Sequence, residues 1–241
     1  MRAISHVSHR VWLQGREHLP DHLADLCQGF DDRHPGWQHE WWSHERICDE
    51  LDLRESRQTY LDAELYVPAD SVMQMRADIA RYAILRQHGG VTLDVDYAWQ
   101  KPVDDLIRAS NVVLAYESDG EWIANGFMAA NPKHTLYTRV LAAIPARASE
   151  VAGRGLRANA FTGPKFFTPI VKALGDRLDL RVLPAATLHP VPWSDAAKPY
   201  DPARFPEAVA VHLWAHQKGM RGVDHGIWKT WGELAGGMVP A

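Results

Sequence analysis

The chain has 241 residues, 46% hydrophobic and 23% charged, which is globular and long enough for one α/β core. A formal net charge of −4 argues against general nucleic-acid binding, and no apolar run is long enough for stable insertion in a bilayer. Two cysteines, Cys27 and Cys48, make no disulfide framework, and Met1 to His6 lacks a signal-peptide apolar core, so the expectation is a cytoplasmic protein with reduced thiols.

Val7 to Leu13 reads as a first strand, followed by a helix around Asp21 to Gln28. His34-Pro35-Gly36 is a turn before a short strand at Gln38 to Trp42. Residues 43–67 hold one or two short helices. From Val72, the apolar residues Met75, Ile79, Tyr82 and Leu85 recur at roughly helical spacing and predict an amphipathic helix over 72–87. Gly89-Gly90 then supplies the backbone freedom that helix ends use. Val91, Leu93 and Val95 alternate with Thr92, Asp94 and Asp96. A strand over 91–95 sends the first set into the core and both aspartates to the other face.

Further along, Pro102 to Leu106 reads as a short turn of helix. Asn111 to Tyr116 and Ile123 to Ala130 read as strands, and Thr135 to Ala146 and Pro164 to Leu174 as helices. Leu180 to Leu183 and Ala208 to Leu213 are late strands. Strands alternating with helices imply a mostly parallel central sheet flanked by helices on both faces. Ligands then sit beyond the carboxyl ends of the strands, where Asp94 and Asp96 are placed. The chain is read as a single domain over 1–241, with the Gly- and Trp-rich residues 219–241 as a lid or docking tail.

Asp78 and Arg81 are three apart and share a helix face. With Asp94 and Asp96 they bring four polar groups to one sheet edge. Carboxylate oxygens suit hard divalent cations, and Mg²⁺ or Mn²⁺ neutralises charge on a departing diphosphate. An arginine fork suits phosphate or sugar oxygens. The combination points to chemistry on a nucleotide-diphosphate sugar. Of the thirteen histidines, none shows a metal-site spacing such as HExxH.

The segment Ala77-Asp78 to Arg81, then Gly89-Gly90-Val91-Thr92-Leu93-Asp94-Val95-Asp96, resembles the DXD sugar-binding region of glycosyltransferase family 32. It is also similar to the glucosyltransferase domains of large clostridial toxins. Thr92 stands where that pattern has tyrosine. Weaker likenesses lie at Ser8 to Gly15, His34 to Trp37, Trp41 to Ser43, Asn125 to Ala130, Thr162 to Pro164 and Ala210 to Trp214. The resemblance implies a GT-A-like nucleotide-diphospho-sugar transferase fold. It also implies a retaining, Mn²⁺- or Mg²⁺-dependent transferase with a nucleotide-sugar donor, a UDP-sugar first. Candidate acceptors are a glycan, a lipid-linked glycan, a protein or a modified base.

By the same resemblance Asp96 is the first metal ligand. Asp94 contacts the donor's ribose or sugar, or the ion. Asp78 and Arg81 reach sugar hydroxyls and a phosphate oxygen. Val11 reads the base edge with its backbone while Trp12 stacks on the base. Asn125 orients the sugar or acceptor. His212 follows a late apolar strand and is a candidate third ligand. Trp214 and His216 are rim candidates, and Lys165 reads better as a solvated helix-start lysine than as a diphosphate contact. A metal-dependent nucleotide-sugar hydrolase and a non-catalytic nucleotide- or glycan-binding module are the rival readings.

Overall fold

Alternating strand and helix periods run through nearly the whole chain of the computed structural model, which describes residues 3–108, 110–151, 153–175, 179–195, 201 and 204–215. In order come β1 (Val7–Val11), α1 (Asp21–Asp31), β2 (Gln38–Trp42), α2 (His44–Glu50), α3 (Arg57–Leu61) and α4 (Val72–Gln87). Next are β3 (Gly90–Leu93), β4 (Tyr97–Trp99), α5 (Asp104–Ile107), β5 (Val112–Tyr116), β6 (Ile123–Ala130) and α6 (Thr135–Val151). Then follow α7 (Ala158–Phe161), α8 (Pro164–Leu174), β7 (Leu180–Leu183), α9 (Ala185–Leu188) and β8 (Ala210–His212). His216 and the predicted tail over 219–241 lie outside the described residues.

Six strands form one sheet in the order β2-β1-β3-β6-β5-β7. β1 is parallel to β2 and β3, and β5 to β7. Only β6 is reversed, antiparallel to both β3 and β5. This is the mostly parallel, helix-flanked sheet that the alternation predicts. β4 and β8 make a separate antiparallel pair. On one face of the main sheet, Ile79, Tyr82, Leu141 and Phe167 pack α4, α6 and α8 into a core. On the other, Phe30, Trp99, Phe127 and Leu188 join α1, β4 and α9. No helix among the described residues is long and apolar enough to cross a membrane, and both cysteines are free.

Three local findings differ from the sequence reading, and each shapes the site. First, α4 is not amphipathic. Twelve of its residues are buried, Arg76, Asp78 and Arg81 among them, because α6 and α7 cover the face opposite the sheet. Its polar side chains must therefore find partners inside the protein. Second, β3 stops at Leu93. Val91 and Leu93 enter the core as the alternation predicts, but Asp94, Val95 and Asp96 form a turn and Val95 is only half-buried. Third, β6 bulges beside this turn. Its pairing with β5 passes from Val113↔Ala129 to Ala115↔Ala124, so β5 advances two residues while β6 advances five. Such a bulge re-aims side chains; on its other edge β6 keeps the β3 register, and the Asp94 N–H donates to the Gly126 carbonyl at 2.8 Å.

The glycine pair is needed for steric reasons. Gly89 and Gly90 have φ of 69° and 80°, where side chains with a Cβ are strained. A Cβ on Gly90 would also lie 2.5 Å from the Val7 carbonyl oxygen. The close approach lets β3 lie against β1 and aims its end at the site.

Candidate active site

Asp96 and His212 are held together by backbone. Tyr97 pairs with His212 in the β4–β8 ladder. The Leu213 N–H donates to the Asp96 carbonyl at 2.9 Å, and the Ala215 N–H donates to Asp96 Oδ2 at 2.8 Å. His212 Nε2 then lies 3.0 Å from Asp96 Oδ1 and 3.7 Å from Asp94 Oδ2. One ligand atom from each of Asp94, Asp96 and His212 falls within 4.8 Å of the others. Burial opposes charge on His212, yet Asp96 and Asp94 together outweigh it and raise its pKa. A site that concentrates negative charge in this way favours a cation. Two carboxylate oxygens and an imidazole nitrogen fit Mn²⁺, and less well Mg²⁺.

A second layer fixes the carboxylates. Arg81 donates through Nη1 to Asp94 Oδ1 and through Nη2 to Asp78 Oδ1 at 2.7 Å. Asp78 also accepts from Asn125 Nδ2 at 2.8 Å and from the Thr162 hydroxyl at 2.8 Å. Asn125 reaches the Tyr82 hydroxyl at 3.2 Å, and that hydroxyl donates to the Thr162 carbonyl at 2.7 Å. Burial pushes the Asp78 carboxyl up to about 6, while Arg81 and the Thr162 hydrogen bond pull it back. It is an anion at neutral pH, matched to a guanidinium held charged, against the pull of burial, by Asp94 and Asp78. Gly126 completes the arrangement: a Cβ there would lie 2.6 Å from Asp94 Oδ2, so only glycine leaves the carboxylate in place.

Aromatic rings enclose His212. Tyr97, His189 and Trp214 have ring centroids 4.6, 5.7 and 4.2 Å from it. His189 lies 3.0 Å from the Tyr116 carbonyl through Nδ1 and 2.7 Å from the Tyr97 hydroxyl through Nε2. A carbonyl only accepts, so Nδ1 carries the proton and Nε2 accepts from Tyr97. Burial, aided by His212, drives the His189 pKa down to about 3, which keeps this relay neutral. Trp214 is held at a positive φ of 55°, and its indole N–H donates to the Val191 carbonyl at 2.9 Å.

Glu117 follows β5 at the same end of the sheet. Burial first, then Asp119, raises its carboxyl to about 7, while His212 and Lys165 pull it down. A carboxyl whose pKa is raised on folding contributes stability that is full below its ordinary pKa and is lost as pH rises through the folded value. The window runs from about 4.5 to about 7. Relative to the parent, Glu117→Gln should therefore gain stability with rising pH across that window in urea denaturation. A difference that does not vary with pH contradicts the assignment.

The structure brings Asp78, Arg81, Asp94, Asp96, Asn125 and His212 into one connected network. Asp78 is deeper than the sequence reading places it, at 1% exposed. Val11 is half-buried at the end of β1, and Trp12 is buried just beyond it. Lys165 is exposed, with its ammonium 5.8 Å from the Trp122 ring. Thr162, Tyr97, His189 and Glu117 are site residues that sequence reasoning did not assign. Thr162 lies in a motif already singled out, and Tyr97 directly follows Asp96. His189 and Glu117 carry no local signal, since only the topology brings them to this edge.

Comparison with known proteins finds relatives in both sequence and fold. Residues 20–113 match the family model described as a glycosyltransferase sugar-binding region containing a DXD motif. An uncharacterized glycosyltransferase of Acanthamoeba polyphaga mimivirus is 30% identical over 136 residues, 56% of this chain and 53% of the viral protein. Inositol phosphoceramide mannosyltransferase 1 of Schizosaccharomyces pombe is 28% identical over 137 residues, 56% of this chain and 40% of the yeast protein. The matched region thus spans about half of these relatives. Among solved structures, the PaToxG glycosyltransferase superposes with a TM-score of 0.55 at 13% identity, covering 71% of this chain and 69% of that one. The galactosyltransferase LgtC, solved with donor and acceptor sugar analogs, gives 0.51 at 8% identity, covering 98% and 97%. Residues 20–113 are thus similar to the DXD-containing sugar-binding region of glycosyltransferases, and the chain has a GT-A-like α/β fold.

Proposed function

We propose that the protein is a metal-dependent, retaining glycosyltransferase that moves a sugar from a nucleotide diphosphate, a UDP-sugar first, to a hydroxyl acceptor. The observation that carries this reading is the Asp94–Asp96–His212 cluster at the carboxyl end of β3. In this reading Asp96 and His212 hold Mn²⁺ or Mg²⁺, with Asp94 as third ligand or donor contact. When bound, the cation neutralises charge that develops on the diphosphate. Arg81 keeps Asp94 in register, and its remaining donor capacity faces the sugar or phosphate. Asp78, Asn125 and Thr162 hold Arg81 from behind, which is the preorganisation that makes such sites effective. On the sugar, the bond from the anomeric carbon to the diphosphate oxygen breaks. The acceptor oxygen bonds the same face, and its proton goes to the departing diphosphate.

A thermal-shift panel tests the donor class: UDP-glucose, UDP-galactose, UDP-N-acetylglucosamine and GDP-mannose, each with Mn²⁺. Bound ligand stabilises by mass action, so a UDP-sugar should raise Tm by a few degrees. GDP-mannose belongs in the panel because one relative is named a mannosyltransferase. No shift with any of the four contradicts the proposal. Trp12→Ala tests the base site. It should weaken UDP binding by about 1–3 kcal/mol if the indole stacks on the base, whereas an unchanged Kd in a folded variant makes Trp12 a packing residue.

A further inference from the structure

Of the eight tryptophans among the described residues, seven are buried or half-buried and Trp193 is 59% exposed. A lone exposed apolar side chain is ordinary, so its position decides its meaning. Trp193 opens a short turn, Trp193–Asp195. Two residues earlier, the Val191 carbonyl accepts the Trp214 indole N–H, and Trp214 packs against His212. Two residues of chain span at most about 7 Å, so the Trp193 backbone is tied closely to the site. Four residues earlier, His189 donates to the Tyr116 carbonyl, next to Glu117. Glu117 is half-buried, and its carboxyl makes no hydrogen bond or ion pair among the described residues. The His189–Tyr116 and Trp214–Val191 contacts thus tether the backbone of the exposed Trp193 to the neighbourhood of the strand end that carries Glu117.

A pyranose matches such a pair. One face of the ring is a patch of C–H groups, which an indole face covers well. Its edge is a row of hydroxyl donors, which a carboxylate accepts. Binding sites commonly combine an apolar wall with a few placed polar groups. We propose that Trp193 and Glu117 form the acceptor subsite, and that the acceptor group it takes is a pyranose stacked on the Trp193 indole with a hydroxyl on Glu117. The proposal rests on the glycosyltransferase reading above.

The test uses the whole protein with UDP and Mn²⁺ present. Methyl β-D-glucopyranoside, methyl β-D-galactopyranoside and methyl α-D-mannopyranoside are titrated and followed by ligand-observed NMR, with UDP binding measured in parallel by calorimetry. The parent should bind at least one glycoside saturably, and Trp193→Ala and Glu117→Gln should each weaken it about tenfold or more. Leu65→Ala removes the other strongly exposed large apolar side chain among the described residues and should match the parent. Undiminished glycoside binding in Trp193→Ala overturns the subsite. So does a parent that binds UDP but none of the three glycosides. A parent that binds no UDP sinks the donor reading, and the subsite with it.

Discussion

Asp96→Asn should abolish metal-dependent donor turnover while the protein stays folded. Asp96 is buried, and it receives the Ala215 N–H and faces His212. An asparagine keeps the size, still accepts from Ala215, and can donate to the imidazole. The network therefore survives, but the charge that attracts a cation is gone. Changes to groups that merely support metal ligands cost about 10–100-fold, so loss of a ligand should cost at least about 100-fold in kcat/KM. Tm should move by only a few degrees. Wild-type turnover in the variant would remove Asp96 from the metal site.

Arg81→Met should be the most destabilising single change at the site. The guanidinium is buried and holds Asp78 and Asp94 at once. Without it, the fully enclosed Asp78 keeps only neutral hydrogen-bond donors, and Asp94 loses the guanidinium. Breaking a buried pair in this way costs about 3–5 kcal/mol. The loss should be smallest near pH about 4, where carboxyls take up protons, and should grow toward neutrality. This follows because Asp78, already raised by burial, would be raised further without Arg81. Folding would then favour the protonated form, and stability would fall as pH rises. Arg81→Lys should keep more stability yet lose turnover, since an ammonium cannot reproduce a planar fork to two carboxylates. Urea denaturation at two pH values checks the first claim. A change below about 1 kcal/mol, the size of a surface pair, contradicts it.

Much of this architecture is legible in the sequence because it rests on local signals. The helical spacing from Val72 to Leu85, the Gly89-Gly90 stop and the apolar run from Val91 place α4 and β3 nearly to the residue. What stays hidden depends on what covers what. Periodicity suggests an amphipathic α4, but α6 and α7 bury its outer side, and that burial turns an ordinary-looking Asp78–Arg81 spacing into a closed ionic core. The β6 bulge carries no residue signature beyond Gly126, and the end of β3 at Leu93, with a turn at Val95 and Asp96, has none either. His212 was legible only as a late histidine. Its place beside Asp96 comes from β4–β8 pairing across more than a hundred residues, and Glu117 and His189 arrive by the same non-local route.

The central claim is that Asp94, Asp96 and His212 join a divalent cation to a nucleotide diphosphate. Calorimetric titration of UDP into the parent and into Asp96→Asn, each with and without Mn²⁺, tests it most directly. The account predicts that Mn²⁺ tightens UDP binding strongly in the parent and hardly at all in the variant. Equal UDP binding with and without Mn²⁺ in the parent, or an undiminished Mn²⁺ effect in Asp96→Asn, would contradict it.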